Sequence, residues 1–174
     1  MLSRDDIRRA LVALADELAD MSTRCEIVVV GGAAVVLLYG AREATKDVDA
    51  LILSRIDPAL VRKAVQRVAD SLGLPDDWLN DAAKGYVHGL ALGEVLVDEP
   101  ALLVRALAPH QLLAMKLSAW RDDVDIDDAR LLLAKLSADR DEVWRLVEPH
   151  LVPGREMKAY YAFCDLWEAE HGSA

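Results

Sequence analysis

Asp47 and Asp49 stand two residues apart at the start of an apolar run. On a strand, positions i and i+2 face the same side, about 6.5–7 Å apart along the chain, so two carboxylates at that spacing can lean onto one hard divalent cation. Without a cation they repel each other beside a core, and the plain reading is two solvated acids at a strand end. Upstream, Gly31-Gly32 ends a β-branched run and leads straight into an apolar helix. Glycines there let a ligand approach the backbone, and a helix N-terminus favours anions. The plain reading is a tight strand–helix turn. A third feature is Lys116, which lies among Leu112, Leu113, Met115 and Leu117. A lysine on so apolar a helix needs an anion, either a phosphate or a carboxylate across the helix hairpin such as Asp125 or Asp128.

The elements that must position these residues can be read along the chain. Ser3 caps a helix over residues 3–20 with Ile7, Leu11, Leu14 and Leu18 on one face. Residues 26–30 and 48–53 read as buried strands, with a buried helix over 33–39 between them that Gly40 ends. Pro58 opens a helix to Leu72, closed by Gly73. Residues 74–83 read as a turn and a short helix around Trp78, and 86–92, 94–97 and 102–107 as strands. Helices are expected from Pro109 to Trp120, from Asp125 to Leu136, and over 139–171 with a break at Pro153-Gly154. The fold class is α+β, with a helical C-terminal half.

The full segment, Val30-Gly-Gly-Ala-Ala-Val-Val-Leu-Leu-Tyr-Gly-Ala-Arg-Glu-Ala-Thr-Lys-Asp-Val-Asp, is neither a GxGxxG fingerprint nor a Walker A loop. It resembles the DNA polymerase β-type minimal nucleotidyltransferases, and most of all the AbiEii/MenT-type toxin nucleotidyltransferases and their small uncharacterised relatives. Gly31, Gly32, Ala34, Tyr39, Gly40, Arg42, Thr45, Asp47 and Asp49 match. A second block matches at Lys116, Ala119, Arg121, Asp125 and Asp128. The resemblance implies a nucleotidyltransferase-like mixed sheet flanked by helices. Residues 1–107 would form an α/β core and 108–174 a helical extension packed on it as one compact unit. It further implies transfer of NMP from an NTP to a hydroxyl acceptor, a tRNA end or a protein. Mg²⁺ (or Mn²⁺) would be held by Asp47 and Asp49, and the nucleotide by Gly31, Gly32, Arg42 and Thr45. Lys116 would neutralise charge, oriented by Asp125 or Asp128. Both glycine and acidic motifs should then meet at one edge of the sheet and face a single cleft. Members of the superfamily usually add a third carboxylate on a later strand, whereas here Glu94 and Asp98 flank the expected strand. The alternative is therefore a catalytically weak binding module, an antitoxin or a sensor. A third reading is an α+β interaction protein whose Gly-Gly turn and acids are structural.

Composition narrows the field. The chain has 174 residues, 53% hydrophobic, with 20 basic and 30 acidic side chains and a net charge of −10. That is enough chain for a real core and too acidic for broad nucleic-acid binding, although a local patch at Arg42, Lys46 and Lys84 can meet one acceptor end. Only Cys25 and Cys164 are present, so a disulfide framework is excluded and a reducing cytoplasm is expected. No apolar run spans a membrane and no signal peptide is read at the start. The acids at 123, 125 and 127 mimic half of a calcium loop, but Asp128 and Ala134 stand where glycine and glutamate are needed. The four histidines lack zinc-motif spacing. Asn80, Asp81 and Lys84, after Trp78, can line a pocket or belong to a capped helix. The expected partners are an NTP, an acceptor tRNA or protein, and a cognate antitoxin protein; a membrane is not among them.

Overall fold

Capping and glycine punctuation set the first half of the chain. The computed structural model describes residues 1–40 and 43–172. Strand β1 (Leu2–Ser3) leads into α1 (Arg4–Asp20), where the Ser3 hydroxyl accepts from the Asp6 N–H and the Asp6 carboxylate accepts from the Ser3 N–H, a reciprocal capping box. Its buried face is Ile7, Leu11, Leu14 and Leu18. Strand β2 (Cys25–Val29), buried but for Glu26, stops at Val30, and α2 (Gly31–Tyr39) ends on Gly40 at φ 59°. After β3 (Ala44–Thr45) and β4 (Val48–Ile52), Asp57 caps α3 (Pro58–Leu72), which closes on Gly73 at φ 66°. Strands β5 (Leu79–Asn80), β6 (Leu92–Glu99) and β7 (Leu102–Leu107) follow.

The chain divides into two compact units. The first takes Met1–Ala82 and Leu92–Ala106. Its main sheet has the order β5-β4-β2-β7-β6, and β1 pairs with β3 in a separate two-stranded ladder. The sheet is mixed: β2 runs antiparallel to β4 and parallel to β7, while β4 runs parallel to β5. Helices α1 and α3 pack against each other, and Trp78 is fully buried with its indole N–H donating to the Val65 carbonyl at 3.2 Å.

The second unit takes Ala83–Ala91 and Leu107–Ala174. Its helices are α4 (Pro109–Ala119), α5 (Asp123–Lys135), α6 (Arg140–Val147) and α7 (Glu156–His171), with α5, α6 and α7 all packing on α4. Every residue of α4 from Gln111 to Ala119 is buried, as a central helix of a bundle requires. The fold is thus α+β with a helical C-terminal half.

Two expectations for the middle of the chain are corrected. Residues 74–83 hold no helix around Trp78; they form a turn and then β5, with a 3-10 turn at Ala82–Tyr86. Residues 86–91 are not a strand, and Leu92 instead opens β6. Their backbone is bonded by a side chain instead: Gln111 accepts from the Ala91 N–H at 2.6 Å and donates to the carbonyls of His88 and Gly89 at 3.1 and 3.0 Å.

Candidate active site

In the first unit the Gly-Gly turn and the acidic pair meet. Gly31 sits at φ +60°, a left-handed conformation that costs an L side chain roughly 1–2 kcal/mol. A Cβ placed there would lie 3.7 Å from Asp49 Oδ2, so the bare glycine backbone faces that carboxylate directly. The Val30 N–H donates to the Asp49 carbonyl at 2.9 Å, which ties the start of α2 to β4. The N-cap residue of α2, Val30, offers no side-chain cap, as is also true of α4 and α7, whereas Ser3, Asp57, Asp122 and Asp139 cap α1, α3, α5 and α6. A helix start at a glycine turn suits an anion that brings its own oxygens.

Asp49 lies inside β4 and Asp47 one residue before it. Both are half-buried. Asn80, the register partner of Asp49 on β5, donates from Nδ2 to Asp47 Oδ2 at 3.1 Å and so fixes one oxygen of that carboxylate. Two oxygen-donor carboxylates on one strand end fit magnesium or manganese, which are bound by one or two carboxylates with phosphates and water completing the shell. They do not fit zinc or a calcium cage. Among the described residues no group of three or more His, Cys, Asp or Glu gathers into a metal-holding cluster. Glu94 and Asp98 were expected to flank a strand; both lie within β6. That strand is three places from β4 in the sheet, about 14 Å at the usual strand spacing, so neither supplies a neighbouring third carboxylate.

The second unit carries the other block. Lys116 Nζ lies 2.9 Å from Asp125 Oδ1 and 2.7 Å from Asp128 Oδ2. The side chains are 10%, 2% and 4% exposed, so the ammonium of α4 is clamped by both acids of α5 in a nearly dry setting. Arg121 adds a bond from Nε to Asp125 Oδ2 at 3.1 Å, and its backbone N–H donates to the same oxygen at 3.2 Å. Two positive and two negative groups balance. Burial pushes the Asp125 carboxyl upward, but hydrogen bonds from Lys116 and Arg121 outweigh it and hold the group below its ordinary range. Of the two partners open to Lys116 from the sequence, the carboxylates are therefore present.

The remaining expected residues fall as follows. Thr45 is buried in the β1–β3 ladder, opposite Leu2. Arg42 lies outside the described residues. Gly32 follows Gly31 in the first turn of α2. Lys84 and Asp81 are exposed. Asn80 is the residue whose role the sequence understated: the short Trp-Leu-Asn stretch carries no strand period, so only its polar type beside a buried tryptophan hinted at the contact with Asp47. The histidines also proved less scattered than their spacing suggests. His110 and His150 rings lie 5.3 Å apart, and His150 Nδ1 donates to the His88 carbonyl at 2.7 Å. Burial and the neighbouring His150 push the His110 imidazole below its usual range. Cys25 and Cys164 are both free thiols. No helix among the described residues is long and apolar enough to cross a membrane.

A family model described as "Nucleotidyltransferase of unknown function (DUF6036)" matches residues 9–147. That span includes both the Gly31–Asp49 site and the Lys116 cluster. Neither the curated proteins nor the solved structures yield a match.

Proposed function

The chain belongs to this family of nucleotidyltransferases, and from that premise we propose that it moves the NMP group of an NTP onto a hydroxyl of a tRNA end or a protein, with magnesium or manganese held by Asp47 and Asp49. The observation that carries the reading is the left-handed Gly31, whose Cβ position lies 3.7 Å from Asp49 Oδ2. An anion on the α2 N-terminus and a cation on Asp49 would then be neighbours, which is the arrangement a metal–triphosphate needs. The metal, when bound, neutralises phosphate charge and makes the acceptor hydroxyl a better nucleophile. The acceptor oxygen bonds to the α-phosphorus as the bond to pyrophosphate breaks.

The chain's own residues supply position and charge. The N–H groups at Gly31 and Gly32 hold the β- and γ-phosphates. Asn80 keeps Asp47 in one rotamer, so the two carboxylates start in place. Arg42 and Thr45 contribute to the nucleotide pocket on the strength of the motif alone. Lys116 uses two of its three donors on Asp125 and Asp128, and a role toward the nucleotide's charge rests on the motif resemblance alone. The motif resemblance further supports a toxin role in a toxin–antitoxin or phage-defence pair, with a cognate antitoxin as protein partner.

The test is thermal shift of the full chain with Mg²⁺, with each NTP, and with both, followed by labelled NTP incubated with total RNA and total protein. Stabilisation that needs metal and NTP together, with label transferred, is the expected result. Stabilisation without transfer leaves a nucleotide-binding module, and no stabilisation removes the reading. Growth arrest on expression of the wild type but not of Asp49→Asn tests the toxin role.

A further inference from the structure

The five-stranded sheet is incompletely closed at one side. Strand β5 covers only the first two residues of β4, pairing Leu79 with Val48 and Asn80 with Asp49. Register decides what the rest of β4 presents. The Val30 N–H bonds the Asp49 carbonyl at 2.9 Å and the Leu53 N–H bonds the Glu26 carbonyl at 2.8 Å. Residues 49, 51 and 53 therefore turn their backbone polar groups toward β2, and antiparallel alternation turns those of Val48, Ala50 and Ile52 the other way. The Val48 N–H, bonded to the Trp78 carbonyl at 2.7 Å, shows that direction. Beyond Asn80 the flanking strand has ended. The Ala50 carbonyl and the N–H and carbonyl of Ile52 point along the line β5 would follow, and among the described residues no strand pairs with them on that side.

That open edge borders a cavity of about 610 Å³. Its floor is apolar, with Val61 and Val65 of α3 and the side chain of Ile52, which is 42% exposed. Its rim carries Asp76, Asp77 and Asp81 against a single Arg62. We propose that the edge of β4 is a strand-addition site for an extended segment of a partner polypeptide, with alternate apolar side chains and flanking lysine or arginine. The backbone of such a segment satisfies the outward groups of Ala50 and Ile52, its apolar side chains enter the cavity, and its basic residues meet Asp76 and Asp77. A second copy of this chain is the poorer occupant. Pairing the edge with itself sets one acidic rim against another. The site adjoins the Asp47–Asp49 strand end and shares Asn80 with it, but its test reads peptide binding and does not depend on nucleotidyl transfer.

The experiment measures fluorescence polarisation of labelled ten-residue peptides on the full chain. A peptide alternating valine and lysine binds, and its counterpart alternating valine and glutamate does not. Methylating alternate backbone amides weakens the basic peptide about tenfold or more, the loss expected when backbone hydrogen bonds are removed. Ile52→Pro removes an N–H that faces away from β2 and weakens binding similarly. Asp76→Lys with Asp77→Lys, both at exposed positions, does so without touching the strand, which keeps the test decisive if the proline variant misfolds. No binding of the basic peptide overturns the proposal. So does equal binding by the methylated peptide, or unchanged affinity in the charge-reversed variant. A dimer in sedimentation velocity that Ile52→Pro abolishes assigns the edge to a second copy and also overturns it.

Discussion

The Gly31–Asp49 turn and the Lys116 cluster use the same kinds of charged group to opposite ends. In the first, two like-charged carboxylates are half-buried, one held by Asn80, beside the start of α2 and a glycine in a left-handed conformation. In the second, two carboxylates are buried but matched by Lys116 and Arg121 within 3.2 Å. The first sets two like charges beside a bare glycine backbone at a helix start, a surrounding that suits a bound cation and anion. The second is closed on itself, which favours a rigid helix pair. The acids are therefore told apart by what the described residues set around them, a like charge and a glycine turn in one case and two basic side chains in the other, and substitution should separate them in the same way.

The largest contrast is expected at Asp49. Asp49→Asn should lower NMP transfer roughly 10³-fold, as removal of a group that stabilises developing charge does. Melting temperature should hold or rise, because one of two neighbouring like charges is gone. Isothermal titration showing unchanged Mg·NTP affinity would falsify the shared cation site. Lys116→Ala should do the reverse to stability. It strands two buried carboxylates, a change that costs about 3–5 kcal/mol, and chemical denaturation reads it directly. Restoring neutrality by adding Asp125→Asn and Asp128→Asn should recover much of the loss, a non-additivity that isolated sites do not show. Single-turnover transfer on folded Lys116→Ala decides its second role: a further 10²–10³-fold loss places the ammonium at the transferred group, and full activity leaves it as structure only.

A smaller effect follows from pH. The Asp125 carboxyl is held below its ordinary range, so the unfolded chain takes up its proton first as acid is added. The stability it contributes is complete above the ordinary carboxylate range, near 3.8, and is lost as pH falls through the lower folded-state value. Thermal melts between about pH 5 and 2 should therefore fall less steeply for Asp125→Asn than for the wild type. Identical acid limbs in the two proteins would show that the bonds from Lys116 and Arg121 add no stability through Asp125.

What the sequence disclosed follows the reach of each interaction. Ser3, Pro58, Gly40 and Gly73 mark helix ends by local chemistry, and α1, α2 and α3 begin and end close to where those residues indicate. Strand β7 runs from Leu102 to Leu107, as its apolar run suggested. Strand β5 was invisible because two residues carry no period; its pairing comes from Val48 and Asp49, some thirty positions earlier. The stretch from Tyr86 to Leu92 looked like a strand because it is apolar, but Gln111 supplies bonds that a ladder would otherwise have supplied. At the sites, residue type and spacing marked Asp47, Asp49, Gly31 and Lys116. The acids that meet Lys116 were among the partners the spacing offered, whereas the Asn80 bond to Asp47 depends on β5, an element the local code does not join to that strand.

The finest test of the contrast uses two glycines that share a backbone conformation but not an environment. Gly31 and Gly73 have φ of +60° and +66°. A Cβ at Gly31 would meet Asp49 Oδ2 at 3.7 Å, an ordinary contact, while a Cβ at Gly73 meets nothing within 4 Å. Alanine therefore creates no clash at either site, and each substitution should cost about 1 kcal/mol from left-handed strain alone. Equal stability losses would show that the helix end at Gly73 and the turn at Gly31 obey the same steric rule. Their effects on ligand should differ. A methyl group at Gly31 occupies the space between the α2 N-terminus and the Asp49 carboxylate, so Gly31→Ala should weaken Mg·NTP binding several-fold beyond its cost in stability, on the order of 1 kcal/mol. Gly73→Ala should leave binding unchanged. If Gly31→Ala binds Mg·NTP as tightly as the wild type, the ligand does not pass over that backbone, and the glycine serves only to turn β2 into α2.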